Sequence, residues 1–473
     1  MKNLYDLLFS QEVPKYIQIS NHIKKLIENR KIEDGEKLPT IREYSEFLQV
    51  NKDTIINAYK KLVNDGVAYQ KMGSGTYAKR KEVTLSFKKE YSNTFKKLSR
   101  ECKKDIIDFA GETNEDLSFP FEEFKDILNR VLDRDGVEAL ISRSPFGYDK
   151  LRRTINKCFW YNSLNDENIL IVSGAQQGID IASKSILNIN DNVIVEKPTY
   201  SGALSVFKFR RANIFEVDME EDGVDIKSFE KILKKNKISC FYTMSYFQNP
   251  TGVSYSLEKK RKIIELAEKY DFYIIEDDYL SELIYDENVD YIPFKWLDKS
   301  DRVIYIKSFS KIFLPGIRLG YIVAPDNLRE SMSNSKFNTD ITTSSLMQRA
   351  LELYIDKGNW KENISNLNMK YRCRYNIMSK LIDEELGDKV IYKKPGGGLT
   401  FYLTIKENKI NSKELFFRLR EKNVFITPGV LFFRNMKDGY NTFRIGFYQT
   451  DEDKIRRGLR IIREELERGV CND

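Results

Sequence analysis

Apolar positions recur with a helical period three times before residue 65, and then the period changes. After Pro14, Ile19, Ile23, Leu26 and Ile27 fall at i, i+4, i+7 and i+8, one face of a helix. Leu38-Pro39-Thr40 opens a second pattern, with Thr40 as N-cap, Glu43 as its capping-box partner, and Ile41, Tyr44, Ser45 and Leu48 on one face. Asn51 is placed to cap a third, where Ile55, Ala58, Tyr59 and Leu62 face inward and Lys52, Thr54, Ile56, Asn57, Lys60 and Lys61 stay open. Only two or three residues separate the second and third patterns, the spacing of a helix-turn-helix. Asp65-Gly66 ends the third helix. Residues 67–70 and 76–78 then read as short strands around Met72-Gly73-Ser74-Gly75, whose glycines let the tip lie close against another surface. Three helices and a glycine-tipped hairpin predict a winged helix-turn-helix, its third helix shaped for a major groove.

From about residue 106, β-branched or aromatic runs alternate with amphipathic stretches. The runs are residues 169–172, 192–195, 239–243, 272–275, 303–306 and 319–323, with helices such as Leu257–Tyr270 between them. This predicts an α/β body with a parallel sheet and crossover helices, in which ligands gather at the carboxyl ends of the strands. At those ends stand Ser173-Gly174-Ala175-Gln176-Gln177-Gly178, opening a helix whose N–H groups and dipole favour a phosphate, and Gln248-Asn249-Pro250-Thr251-Gly252. Glu276-Asp277-Asp278-Tyr279 follows, acids that a sheet would bury at a cost unless a cation meets them. Next comes Ser308-Phe309-Ser310-Lys311, with Arg318 seven residues further on. Singly, each has a structural explanation as a turn or a solvated side chain. Together they suit one ligand, pyridoxal 5′-phosphate, which needs an imine-forming lysine, an acid beside its ring nitrogen, donors near its phenolic oxygen and a phosphate cup.

Composition narrows the field. The 473 residues are 41% hydrophobic and 32% charged, which suits two to four folded domains. No apolar run approaches the ~20 residues of a membrane span, and Met1-Lys2-Asn3-Leu4-Tyr5-Asp6 lacks a leader's apolar region, so a cytoplasmic protein is expected. The five cysteines are scattered and a metal site is not expected. The one histidine, His22, reads as a surface imidazole, which removes Ser-His-Asp and Cys-His catalysis. The net charge of +7 sits at one end. Residues 1–80 hold 14 basic against 10 acidic side chains, residues 81–105 hold 8 against 4, and the remainder is near neutral at 56 against 57. A basic head on a neutral body points to a polyanionic partner.

Leu38-Pro39-Thr40-Ile41-Arg42, Asn51-Lys52-Asp53-Thr54, Tyr59-Lys60-Lys61-Leu62, Asp65-Gly66 and Gly73-Ser74-Gly75-Thr76 resemble the GntR family of bacterial regulators. The resemblance implies Arg42 as a phosphate contact, Lys52 and Thr54 as recognition-helix contacts, and Gly73, Ser74, Gly75 and Thr76 as the wing on double-stranded operator DNA. Roughly residues 110–470 resemble the fold-type I aminotransferases. By position, Lys311 matches the Schiff-base lysine and Asp277 the acid that keeps the pyridine nitrogen protonated. Asn249 and Tyr279 match the groups at the phenolic oxygen, and Tyr200 the ring-stacking aromatic. Ala175, Gln176, Ser308, Ser310 and Arg318 match the phosphate cup, and Arg444 the arginine that takes an α-carboxylate. Where such enzymes carry a tyrosine five residues before Gly147, Ser142 stands, which puts full catalytic competence in doubt.

Joined in this order, the two halves resemble the MocR family. The implied organisation is a winged helix-turn-helix at 1–80, a basic linker at 81–105 and an aminotransferase-like effector domain at 106–473, with its small subdomain at about 335–473. The implied function is a homodimeric transcriptional regulator that carries pyridoxal 5′-phosphate as a lysine imine. It would respond to a small amine or amino acid, or to the cofactor itself. An incoming amine would displace Lys311, Arg444 would hold its carboxylate, and the small subdomain would close. An aminotransferase with an accessory DNA-binding head is the alternative, and whether turnover remains is left open.

Overall fold

The computed structural model describes residues 4–7, 9–10, 13–28, 31–32, 35–65, 67–71, 74–78, 83–101, 105–111, 120–141, 144–407 and 409–468. They form two compact units, Met1–Glu101 and Cys102–Asp473.

In the first unit, helices α1 (Lys15–Glu28), α2 (Ile41–Leu48) and α3 (Lys52–Asn64) precede strands β1 (Ala68–Lys71) and β2 (Gly75–Ala78). The strands pair antiparallel with Tyr69 opposite Tyr77. The apolar positions expected inside are buried, Ile19, Ile23, Tyr44, Ile55, Ala58, Tyr59 and Leu62 among them. Tyr59 stacks on Tyr44 and donates its hydroxyl to the Pro39 carbonyl at 2.7 Å, which pins the start of α2 to α3. Thr40 and Glu43 form the expected capping box. Asn51 occupies the N-cap of α3 but makes no side-chain capping bond there. His22 is not a plain surface imidazole: it is half-buried, and its Nε2 lies 3.0 Å from the Leu4 carbonyl. Residues 83–101, expected within an irregular linker, form helix α4 (Val83–Glu101). Phe87, Tyr91 and Phe95 recur at helical spacing and contact one another ring to ring, Tyr91 to Phe95 at 4.9 Å.

The second unit begins with β3 (Ile107–Asp108) and builds an eight-stranded sheet from β4 (Ile169–Val172), β5 (Asn192–Lys197), β6 (Asn213–Glu220), β7 (Gly223–Val224), β8 (Cys240–Thr243), β9 (Tyr273–Asp278), β10 (Val303–Ser308) and β11 (Gly320–Val323). Its order is β4-β11-β10-β9-β8-β5-β6-β7. The pairs from β10 through β9, β8 and β5 to β6 are parallel. β11, expected as one more parallel strand, is antiparallel to both neighbours. The chain between β10 and β11, residues 309–319, is too short for a helical crossover and turns back instead. Strand alternation sends Val193, Val195, Tyr242, Ile275, Ile304 and Ile306 into one core and Ile194, Phe241, Ile274 and Val303 into another, one on each side of the sheet.

The small subdomain is built on β12 (Val390–Tyr392), β13 (Thr400–Ile405), β15 (Thr427–Pro428) and β16 (Thr442–Gly446), an antiparallel sheet of order β12-β13-β16-β15. Between β13 and β15, β14 (Val424–Phe425) pairs parallel with β3, so residues 105–111 belong with this subdomain as well as its C-terminal residues.

Candidate functional site

The carboxyl ends of β4, β5, β8, β9 and β10 converge with the segment after β3 and the end of β16. Strand β9 ends in three buried acids whose surroundings differ. Glu276 accepts from Ser245 Oγ and from the Phe294 and Lys295 amides, at 2.5, 2.9 and 3.0 Å, and so anchors a loop. Asp278 faces Lys307 Nζ at 3.0 Å on the neighbouring strand. Burial alone would raise its pKa, but Lys307 and the hydroxyls of Tyr291, Ser281 and Tyr305 hold it below the ordinary carboxylate value.

Asp277 points to the other side of the sheet. Its Oδ2 accepts from Tyr242 Oη at 2.7 Å, while its Oδ1 is buried and has no hydrogen-bond partner among the described residues. Burial raises its pKa to about 7. A lone buried carboxylate oxygen costs roughly 1–3 kcal/mol, and a pyridinium N–H is a donor of the kind it lacks.

Around Asp277 the other predicted residues take their places. Lys311 Nζ lies 3.1 Å from Tyr448 Oη. Asn249 accepts from Arg444 Nη1 at 2.6 Å, and Arg444 Nη2 reaches Thr427 Oγ1 at 3.2 Å and the Ala110 carbonyl at 3.5 Å. Arg444 Nε is buried with no partner among the described residues, and the guanidinium lies over the Phe432 ring at 5.2 Å. Tyr279 Oη donates to the Phe247 carbonyl at 3.1 Å, and burial pushes the Tyr279 pKa well up. Tyr200 Oη donates to Gln176 Oε1 at 3.3 Å. The loop carrying Asn249 is held by Gln248, whose amide donates to Glu196 Oε2 at 2.9 Å and to the Pro198 carbonyl at 2.8 Å.

Ala175 and Gln176 begin the helix Ala175–Ile186 directly after Gly174. Gly174 has φ +95°, and Arg318 Nη2 closes over it to bond the Ser173 carbonyl at 2.9 Å. The Ser308 hydroxyl accepts from the Ser310 amide at 3.3 Å, and Ser310 Oγ is buried with no partner among the described residues. Exposed helix N–H groups, an arginine fork and an unspent hydroxyl make a donor set suited to a phosphate. Asp277, Lys311, Ser310 and Arg318 thus fit pyridoxal 5′-phosphate chemically.

Tyr448, Tyr242 and Gly111 were not anticipated. Tyr448 Oη donates to the Gly111 carbonyl at 2.8 Å, and Gly111 has φ +75°. A Cβ there would sit 1.7 Å from that hydroxyl, so only glycine admits the contact. The sole sequence signal for Tyr448 is its position four residues after Arg444.

On the first unit, Lys52 is exposed and Thr54 half-buried on α3. Arg42 is exposed and pairs with Glu46 at 3.0 Å. Ser74 and Gly75 are exposed at the hairpin, but Thr76 is 6% exposed and shares the inward face of β2 with Ala78. Gly73 and Ser142 lie outside the described residues.

Residues 104–462 match the family model for aminotransferases of class I and II, and residues 15–78 match that of the bacterial regulatory proteins of the gntR family. The chain is 31% identical to aromatic-amino-acid aminotransferase 1 of Thermococcus litoralis, over 76% of this chain and 88% of that protein. It is 28% identical, over 95% of both chains, to the HTH-type transcriptional regulator YdfD of Bacillus subtilis. Among solved structures, the kynurenine aminotransferase of Pyrococcus horikoshii in complex with PMP superposes with a TM-score of 0.75 at 32% identity, covering 80% of this chain and 94% of that one. The cofactor of the class I and II aminotransferase family is pyridoxal 5′-phosphate, and the donor set described above is built for it. The chain belongs to that family and carries ahead of it a gntR-type winged helix-turn-helix, a domain order consistent with the MocR type of transcriptional regulator.

Proposed function

We propose that the protein is a cytoplasmic, DNA-binding transcriptional regulator that holds pyridoxal 5′-phosphate as an imine on Lys311. It responds to an amino compound or to the cofactor itself. Bound there, the cofactor supplies an electrophilic carbon for an amine and an electron-withdrawing ring. Asp277 holds the proton at the ring nitrogen, Arg318 and Ser310 fix the phosphate, and Arg444 takes a carboxylate. Among the described residues no helix is long and apolar enough to cross a membrane.

One observation carries the regulatory reading. The segment 105–111 continues the chain from α4 and the head, and the effector-side groups grip it. Arg444 Nη2 reaches the Ala110 carbonyl, Tyr448 Oη donates to the Gly111 carbonyl, and the Gly446 amide donates to the Phe109 carbonyl at 2.7 Å. A ligand carboxylate that draws Arg444 away, or a change in the Lys311 amine that Tyr448 faces, alters the bonds holding this segment. A ligand can bias DNA binding only through such a state-dependent contact. The test is DNA affinity with and without candidate amino acids for the wild type and for Tyr448→Phe. The proposal expects an affinity change in the wild type that shrinks in Y448F, and an unchanged affinity at saturating ligand contradicts it.

Homodimerisation is part of the proposal. Val137, Leu140 and Ile141 are 72%, 66% and 43% exposed on one 3₁₀ turn and its exit, apolar surface of the kind a second copy covers. The aminotransferase alternative draws on the co-location of Lys311, Asp277, Tyr279 and Arg444. Release of an oxo acid from an amino acid, with loss of the visible imine band, separates it from a pure sensor.

A further inference from the structure

We propose that the body holds a second ligand site, on the side of the sheet opposite Asp277, that takes an arylalkylammonium ion. A cavity of about 380 Å³ lies there, within the size range of small-molecule pockets. All three tryptophans of the chain, Trp160, Trp296 and Trp360, line it, together with Tyr291, Tyr305 and Tyr321. Trp296 meets Trp160 and Tyr291 edge-on at 6.3 and 5.9 Å, leaving ring faces for an aromatic guest.

The charge at the cavity's inner end is built and accounted for. Lys307, 5% exposed, donates to Asp278 Oδ1, Ser281 Oγ and Glu282 Oε2 at 3.0, 2.9 and 2.7 Å, which uses all three ammonium hydrogens. Asp278 Oδ2 accepts from Ser281, Tyr291 and Tyr305, each at 2.7 Å. One ammonium thus faces two carboxylates. Glu282 lines the cavity and, when ionised, holds the charge that Lys307 leaves unbalanced; burial raises its pKa, so a cation beside it favours its ionised form, and Lys361, also lining the cavity, is exposed to solvent. A protonated amine beside Glu282 balances that charge, and its attached ring fills the tryptophan-walled space. Ring faces attract the same cation. This site is separate from the cofactor site, because successive residues Asp277 and Asp278 address opposite faces of β9.

Because every tryptophan lines the cavity, intrinsic fluorescence of the full-length protein reports on it. The experiment titrates N,N-dimethyl-2-phenylethylamine, a tertiary amine that cannot form an imine with the cofactor, and separately the anion 3-phenylpropanoate, into the wild type and into Lys311→Ala, whose cofactor site is altered. The expected result is a saturable change with the amine, of equal midpoint in both proteins, and binding of the anion at least about ten-fold weaker. Glu282→Gln should weaken the amine about ten-fold. The half-exposed Trp296→Leu, which leaves the buried ion cluster intact, should weaken it about five-fold. A missing signal, a signal lost in K311A, equal binding of the anion, or parent-like affinity in both E282Q and W296L would each overturn the proposal.

Discussion

Asp277 and Asp278 are adjacent and equally buried, yet only Asp278 meets a cation. The difference comes from strand alternation, which turns one toward Lys307 and the other toward Tyr242 and the ring site. That has a pH consequence in the cofactor-free protein. The Asp277 carboxyl holds its proton to about pH 7, whereas the unfolded chain releases it near pH 4. The unfolded state therefore gains relative stability as pH rises between those values, and the stabilising effect of the retained proton is lost above about pH 7. Asp277→Asn removes this contribution. Thermal melts of the two cofactor-free proteins should diverge in favour of the variant as pH rises from about 4 to about 7, and run parallel above it. A constant difference across that range contradicts the assignment. Residues such as Asp277, Lys311 and Arg318 stood out in the sequence because they follow strand ends. Tyr242 and Tyr448 did not, because their partners lie 35 and 337 residues away, across strand register and a chain reversal.

At the scale of elements, helical and strand periods located the winged head and most of the body sheet. Strands β6, β7 and β12 to β16 escaped, as did helix α4 and strand β3. Helix α4 looked irregular because its Lys and Ser residues mask the repeat of Phe87, Tyr91 and Phe95. Strand β3 is two residues long, and its parallel pairing with β14 carries no local signal. The segment after β3 is the more consequential miss, since it holds Gly111 against Tyr448. Gly111→Ala forces a left-handed backbone onto a side chain and drives its methyl into the Tyr448 hydroxyl. The backbone cost alone is roughly 1–3 kcal/mol. We expect a lowered melting temperature together with a weakened ligand effect on DNA binding. Gly136→Ala, also at positive φ but with open space around its Cβ, should lower the melting temperature and leave the ligand effect intact. Loss of the ligand effect in both variants would mean that Gly111 acts only through stability.

For the whole molecule, the excess positive charge is shared equally by the first 80 residues, which hold the gntR-matched head, and residues 81–105 that follow it, while the near-neutral body carries the ring site. If Lys52 on α3 meets a phosphate, Lys52→Ala should weaken binding on every sequence and reduce the salt slope by about 1. If it reads a base, the loss should instead concentrate on the specific operator, which a salt series on specific and random duplexes distinguishes. The proposed coupling of ligand to DNA binding starts from the hydrogen bonds, all within the body, from Arg444, Gly446 and Tyr448 to residues 109–111. One measurement tests it most directly: visible absorbance and DNA affinity followed in the same titration of an amino acid into the cofactor-loaded protein, with Lys311→Ala in parallel. The account predicts a shift of the absorbance band and a change in DNA affinity that share one midpoint, and in K311A no lysine imine band before the amino acid is added. A band that shifts while DNA affinity stays constant would contradict it.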